Sequence, residues 1–430
     1  MDKKNILLII SQYDPAFTPN VFRWKSIIQE FQKRNHNITI LTTKSAGKET
    51  DYVENGVRIV RTGYNTLMDA FQYLTNVKRK RNEIGNVSGK KSVLRLCAEK
   101  ILDFTWRKIY WPDGSAIWYV PAVRKAKNLI STENYDAVIS VGLPFTAHLV
   151  GLSCKKNNTH LKWLMDIEDP FCYSDIFWVN NFAFYKNLNI RKEKECFRYA
   201  DGISLTNEAA VKQYLNYFKF AKSKISVIPP LLNEFPAVDS HSVEVNPEKY
   251  NFGYFGSFYH KVREPYRLID FLTNLKKVDT ILFSKTKVYL ACQLNPIHEA
   301  YFQKIDPQIK EKLEFLGFLG QQKTQIWMLK MDILINIGNS TEYHLPSKII
   351  DYLAANRPIL NLTSNENDSV KHFIGQKDFF HISDKFTDIE ILKGLDYIKK
   401  SKTKAFHHNF ILDQYSPSSI ANKYLDLLKK

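Results

Sequence analysis

Short apolar runs alternate with helix-patterned segments along nearly all of this 430-residue chain, and that alternation leaves few folds open. Residues 6–10 predict a first strand and the polar turn 11–19 follows. From about 20 to 35, Phe22, Trp24, Ile27, Ile28 and Phe31 then recur at helical spacing. Residues 38–41 and 57–60 predict two further strands. Strands buried on both faces read as unbroken apolar runs, and helices join them when they lie parallel, so this opening predicts a doubly wound parallel sheet. The alternation resumes with helices over 116–132, 146–156, 189–199 and 207–218, and strands over 137–141, 163–166, 202–205 and 225–228. Pro229-Pro230 and a stretch rich in Pro, Ser, Asn and Glu then break it. A second series has strands over 251–255, 287–291, 313–316, 332–337 and 358–362, and helices over 266–276, 323–331, 346–355 and 416–428. No repeat of fixed period is present. The fold class expected is α/β, with two Rossmann-like domains of about 200 residues each. The first covers 1–232, a linker 233–250, and the second 251–412.

The content of hydrophobic residues, 44%, and of charged residues, 24%, is that of a globular chain and not of a disordered one. No run approaches the ~18 apolar residues of a spanning helix. Run 6–10 is too short for a signal-peptide core. Cys97, Cys154, Cys172, Cys196 and Cys292 are far apart, without Cys-x-x-Cys or Cys/His metal spacing. A reducing, cytoplasmic compartment without structural zinc is expected. The formal net charge of +17 fits nucleic acid, an anionic membrane surface or phosphorylated small molecules as partners, or scattered lysines that only solvate the surface. Within a basic, aromatic insertion at 65–112, the segment 78–108 concentrates Lys78, Arg79, Lys80, Arg81, Lys90, Lys91, Arg95, Lys100, Arg107 and Lys108 against Glu83, Glu99 and Asp103. Trp106, Tyr110 and Trp111 sit at its end, a composition suited to headgroup-level membrane contact.

Several familiar chemistries are absent. No Gly-x-Gly-x-x-Gly follows the first strand, which argues against a dinucleotide-binding dehydrogenase. Residues 85–91 are one residue short of a phosphate-binding P-loop and carry Lys91 where Ser or Thr would hold magnesium. His298-Glu299 lacks the second histidine of a zinc-protease helix, and no Gly-x-Ser-x-Gly elbow exists. No helix-turn-helix, zinc-finger or RNA-recognition signature supports a nucleic-acid partner.

The most informative stretch is 336–360. A strand ends near Ile337, a loop follows, and Pro346 is expected to open a helix, where its missing N–H is harmless. Ser347 and Lys348 would lie in the first turn, where free backbone N–H groups and the helix dipole favour an anion. Asp351 follows Ser347 by four residues and so lies one turn further on the same side, placed to accept hydrogen bonds from two vicinal ribose hydroxyls. Such a site would sit at the carboxyl end of a parallel strand, where open α/β sheets bind ligands. An ordinary βαβ unit with a Pro-Ser helix start has the same spacing.

The run Pro346-Ser347-Lys348-Ile349-Ile350-Asp351-Tyr352-Leu353-Ala354-Ala355-Asn356-Arg357-Pro358-Ile359 resembles the donor-binding segment of GT-B glycosyltransferases, specifically glycosyltransferase family 4 and its capsule and exopolysaccharide relatives. Tyr254-Phe255-Gly256-Ser257 with Arg263-Glu264-Pro265 is similar to the first strand and loop of that family's second domain. Phe315-Leu316-Gly317 resembles its nucleobase-side strand. Pro144 to Leu149 resembles its Pro-x-x-x-His-Leu helix start, and Met165 to Phe171 its Asp-x-Arg-Asp-Pro-Trp segment, with Glu168 where Arg is common. The matches run in order over nearly the whole chain.

The resemblance implies two domains facing a central cleft, with the last segment, 413–430, packing back on the first. It implies a hexosyltransferase-type enzyme moving sugar from a nucleotide-sugar to a glycan or polyprenyl-diphosphate-linked acceptor, with retention and without metal or cofactor. Gly256, Arg263, Ser347 and Lys348 would take the donor diphosphate and Asp351 the ribose. His148, Asp166 and Glu342 are the implied catalytic residues, and Asn20, Arg23, Glu168 and Asp169 the acceptor side. The family's usual Glu, eight positions before the ribose acid, is here Tyr343, with Glu342 beside it. The implied place is the cytoplasm, peripheral on the inner face of the membrane. The alternatives are a non-catalytic anionic-lipid or nucleic-acid binding protein and a nucleotide-sugar epimerase of the same architecture.

Overall fold

The computed structural model describes residues 3–429 apart from 17, 46, 68, 71–108, 175–178, 233, 234, 236–242, 364, 375–378, 384 and 403–411. The basic segment 78–108 and most of the 65–112 insertion therefore lie outside the described residues, as does half of the 233–250 linker. The chain forms two units, one of residues 1–229 and 420–430, the other of 230–419.

Unit one is built on an eight-stranded sheet: β1 (Asn5–Ile9), β2 (Asn37–Thr42), β3 (Asp51–Glu54), β4 (Val57–Arg61), β5 (Ala137–Val141), β6 (Lys162–Ile167), β7 (Gly202–Leu205) and β8 (Ile225–Val227). Its order is β3-β4-β2-β1-β5-β6-β7-β8, parallel except for the β3–β4 hairpin. The inner strands are parallel because helices join them, and their residues are apolar because helices cover both faces. All five residues of β5 are buried. Thr18 caps the helix Pro19–Lys33 by accepting from Val21 N, and the buried Asp113 caps Thr146–Asn157 by accepting from Thr146 N and Oγ1. The helix Pro417–Lys429 enters this unit from Ile420 onward and buries Ile420, Tyr424, Leu425, Leu427 and Leu428.

Unit two carries six parallel strands, β9 (Tyr250–Phe255), β10 (Thr286–Ala291), β11 (Leu313–Phe315), β12 (Ile333–Ile337), β13 (Ile359–Leu362) and β14 (Phe379–Ile382), in the order β11-β10-β9-β12-β13-β14. Alternation along β12 divides its side chains between two cores. Ile333, Ile335 and Ile337 join Phe252, Leu268, Phe271 and Leu360 on one face, whereas Leu334 joins Phe255, Met331, Ile349 and Leu353 on the other. Among the described residues no helix is long and apolar enough to cross a membrane.

Candidate functional site

In a doubly wound sheet, the loops leaving two neighbouring strands in opposite directions open a crevice at their carboxyl ends. In unit two this switch point falls between β9 and β12, and three predicted donor-side segments gather there. Arg263, after β9, donates Nε and Nη2 to Asn339 Oδ1 after β12, at 3.0 and 2.8 Å. Asn339 is held in turn: its Nδ2 donates to His344 O at 2.9 Å, and its O accepts from Asn365 Nδ2 at 3.0 Å. Ser340 N and Oγ donate to Val262 O and Lys261 O, both at 2.8 Å, so the two loops are tied together. One edge of the guanidinium is thus fixed on a buried amide. Nη1 lies by Gly256, 3.6 Å from where a β-carbon on that glycine would stand. Such a carbon would meet nothing nearer than Tyr254 Oη at 3.4 Å, so packing does not require glycine here. The buried Tyr254 hydroxyl, pushed well up by burial, donates to Ser257 O at 3.0 Å.

The helix after the β12 loop differs from expectation. It runs Lys348–Ala354, with Ser347 as its N-cap and no side-chain cap bond. Pro346 therefore precedes the helix, because the turn tightens first: Ile349 N donates to Pro346 O and Ile350 N to Ser347 O. Ser347 is exposed and Lys348 half-buried, but Asp351 is only 2% exposed. Lys348 Nζ lies 3.4 Å from Asp351 Oδ2, so the expected phosphate cation and ribose acid are paired with each other. Glu342 is exposed and accepts from Asn367 Nδ2 at 2.8 Å.

In unit one the strand order reverses between β1 and β5. A cavity of about 180 Å³ opens there, lined by Gln12 after β1, Thr18, Pro19 and Asn20 at a helix start, Leu143 after β5, and Glu168 and Asp169 after β6. Asn20 Nδ2 donates to Gly142 O at 3.1 Å, while its buried Oδ1 has no hydrogen-bond partner among the described residues. Burial, with Asp166 and Asp169 close by, pushes the Glu168 carboxyl above the ordinary range, against the pull of Arg23 at 3.6 Å. Of the predicted acceptor-side residues, Asn20, Glu168 and Asp169 share this cavity. Arg23 lies beneath it and is no surface charge: it is buried, donating to Pro229 O at 2.8 Å, Ile228 O at 3.3 Å and Tyr424 Oη at 3.0 Å.

The two predicted catalytic residues of this unit do not line the cavity. Asp166 is 2% exposed, and its carboxylate accepts from Trp24 Nε1 at 2.9 Å and from Ser204 Oγ and Tyr424 Oη, each at 2.6 Å. His148, also 2% exposed, shares a hydrogen bond between Nδ1 and Ser140 Oγ at 2.8 Å, and burial drives its pKa down to about 3. It packs under the loop after β5: a β-carbon on Gly142 would stand 2.6 Å from His148 Nε2, so only glycine fits. Sequence reasoning missed Asn339, Gln12 and Tyr424. Asn339 and Gln12, polar residues just past strand ends, both carried a signal, whereas Tyr424 carried none. Among the described residues no group of three or more His, Cys, Asp or Glu is placed to hold a metal ion.

No protein-family profile matches the sequence, and no curated protein does. Solved structures match over the full length. HepE from Anabaena, in complex with UDP-glucose, is similar at 12% identity, 99% of either chain covered and a TM-score of 0.58. WaaG, a glycosyltransferase involved in lipopolysaccharide biosynthesis, is similar at 11% identity over 98% of this chain and 95% of its own, TM-score 0.51. A protein from Listeria monocytogenes assigned as a UDP-N-acetylglucosamine 2-epimerase is similar at 12% identity over 100% of this chain and 96% of its own, TM-score 0.53. At these identities the likeness establishes architecture: the chain has the two-domain GT-B fold seen in glycosyltransferases.

Proposed function

We propose that the protein is a glycosyltransferase that moves a hexose from a nucleotide-sugar, bound by unit two, to a hydroxyl of a glycan or lipid-linked oligosaccharide, bound by unit one. The observation that carries this reading is the Arg263–Asn339 pair at the β9/β12 switch point. An arginine anchored by one edge on Asn339, with its other edge beside the Tyr254 hydroxyl and a glycine that packing does not need, is set up to take phosphate oxygens. Lys348 and the Ser347 amide add positive potential, and Asp351 takes the ribose once Lys348 swings to phosphate. In the step itself the acceptor oxygen bonds to the anomeric carbon, the bond from that carbon to the phosphate oxygen breaks, and the hydroxyl proton leaves with the diphosphate. Arg263 and Lys348 neutralise the charge that develops there, without metal or cofactor. Attack from the leaving-group face gives retention. Gln12, Asn20, Glu168 and Asp169 supply hydrogen-bonding groups to the acceptor. Cell-surface polysaccharide synthesis at the inner face of the membrane fits this chemistry, with segment 78–108 as a further basic contact.

Calorimetric titration with UDP, GDP and their sugars tests the reading. One nucleotide is expected to bind wild type and to bind Arg263→Ala at least tenfold more weakly, the effect of losing one charge-assisted contact of about 1.5–3 kcal/mol. Failure of every nucleotide to bind wild type rejects it. Epimerisation is the second reading, favoured by the Listeria likeness. Isomerised nucleotide-sugar without any acceptor would select it.

A further inference from the structure

Strand β9 lies between β10 and β12, and the loop that leaves it is held from both sides. On the β12 side the grip is that of Asn339 and Ser340. On the β10 side it is His298, which in the sequence is only half of a zinc-protease pattern. The helix Pro296–Gln303 follows β10, opened by Pro296 and capped by Asn295, whose Oδ1 accepts from His298 N at 2.9 Å. The His298 side chain is 1% exposed, and its Nε2 meets Glu264 Oε2 at 3.1 Å. Its Nδ1 is buried with no hydrogen-bond partner among the described residues, so the ring proton belongs on Nε2, with Glu264 accepting it.

Glu264 directly follows Arg263. An acid turned toward the same ligand would repel the phosphate that the arginine attracts. Both of its oxygens are engaged elsewhere: Oε1 accepts from Lys261 N at 2.5 Å and lies 2.9 Å from His260 Nδ1, while Oε2 faces His298. Lys261 sits at φ +65°, a left-handed conformation unfavourable for a residue with a β-carbon. It forms the bend of a tight hairpin in which Tyr259 N donates to Arg263 O at 2.9 Å and Arg263 N to Tyr259 O at 2.8 Å. The Glu264 bond to Lys261 N holds that bend closed. A second route joins the same residues. Phe258 meets the His298 ring edge-on at 5.7 Å between centres and stacks on Tyr254 at 4.8 Å, and the Tyr254 hydroxyl lies beside Arg263.

We infer that His298 and Glu264 are positioning residues for the nucleotide diphosphate: braced against the helix after β10, they set the angle at which Arg263 presents its guanidinium. A planar fork bonds phosphate oxygens in a fixed geometry, so its affinity depends on that angle in a way a mobile ammonium's does not. This role rests on the reading of Arg263 as the phosphate-binding group.

Calorimetric titration of UDP and GDP into the full chain, run as a double-mutant cycle, tests it. His298→Phe keeps a ring against Phe258 but offers Glu264 no donor. It is expected to weaken the nucleotide that binds wild type about fivefold, yet less than about twofold once Arg263 is already alanine, because no guanidinium is left to aim. His298→Gln, whose amide can again donate to Glu264, should bring affinity back to within about twofold of wild type. Glu264→Gln repeats the cycle without touching the helix, so the test stands if His298→Phe does not fold. Its single amide oxygen cannot serve Lys261 N and His298 together, and the same Arg263-dependent loss is expected. Wild-type affinity in both His298→Phe and Glu264→Gln overturns the proposal and leaves the phosphate role of Arg263 standing. An equal loss with and without Arg263 also overturns it, marking a merely structural contact. If neither UDP nor GDP binds wild type, the reading of Arg263 falls and this role falls with it.

Discussion

At the level of single residues, the buried polar groups divide into those that hold the fold and those that face a cavity. Asp166 belongs to the first kind: three donors from Trp24, Ser204 and Tyr424 converge on it. Asp166→Ala leaves all three unsatisfied inside the core and is expected to destabilise by about 3–5 kcal/mol, read as a lower urea midpoint. Glu193 makes a pH-dependent contribution. Burial raises its pKa from 4.5 to about 7, against the hydrogen bonds from Cys172 and Tyr214. The folded chain therefore binds this proton more tightly than the unfolded chain. The stabilisation is complete below pH 4.5 and is lost as pH rises to about 7, a change of about 3 kcal/mol. The stability difference between wild type and Glu193→Gln, followed across that window, should show this slope; a flat difference would contradict it. The sequence marked Arg263 and Asp166 as charged groups at strand ends but could not supply their partners. Asn339 is 76 positions from Arg263, and Tyr424 is 258 from Asp166. Contacts at such separations are products of topology and leave no local pattern.

Elements were far more legible. Buried parallel strands announce themselves as apolar runs, and the core strands on both sides of each switch point lie where those runs stand. Sequence reading omitted two strands, Asp51–Glu54 and Phe379–Ile382; the former is a short polar edge strand with three of its four residues exposed. Its pairing comes from the hairpin with β4 and not from burial. The misplaced start of Lys348–Ala354 has a similar cause: proline permits a helix start, but the tight turn before it decides where the ladder begins. Helix Thr146–Asn157 shows how closely an element can be fitted. A β-carbon on Gly151 would stand 2.4 Å from Trp163 Nε1, itself bonded to Ser140 Oγ. Gly151→Ala should therefore lower stability by about 1–3 kcal/mol, the usual effect of overpacking, despite alanine's better helix propensity. A rise in thermal midpoint would refute that packing argument.

On the scale of the whole chain, each unit has its own sheet and core. Calorimetric unfolding is expected to show two transitions, and a nucleotide at a hundred times its dissociation constant should stabilise the transition of unit two by about 2.7 kcal/mol. Movement of the other transition instead would place the nucleotide in unit one. The double α/β architecture could be read from periodicity, whereas the partners and chemistry of each switch point needed the strand order.

That the helix from Ile420 onward completes unit one has a consequence for biosynthesis. The ribosome must make all of unit two before the partner of Arg23 and Asp166 exists. Until then the nascent first half holds a buried guanidinium and carboxylate short of Tyr424 and an uncovered apolar groove. Its completion thus waits until unit two has been synthesised, and chaperones have a defined interval in which to engage it.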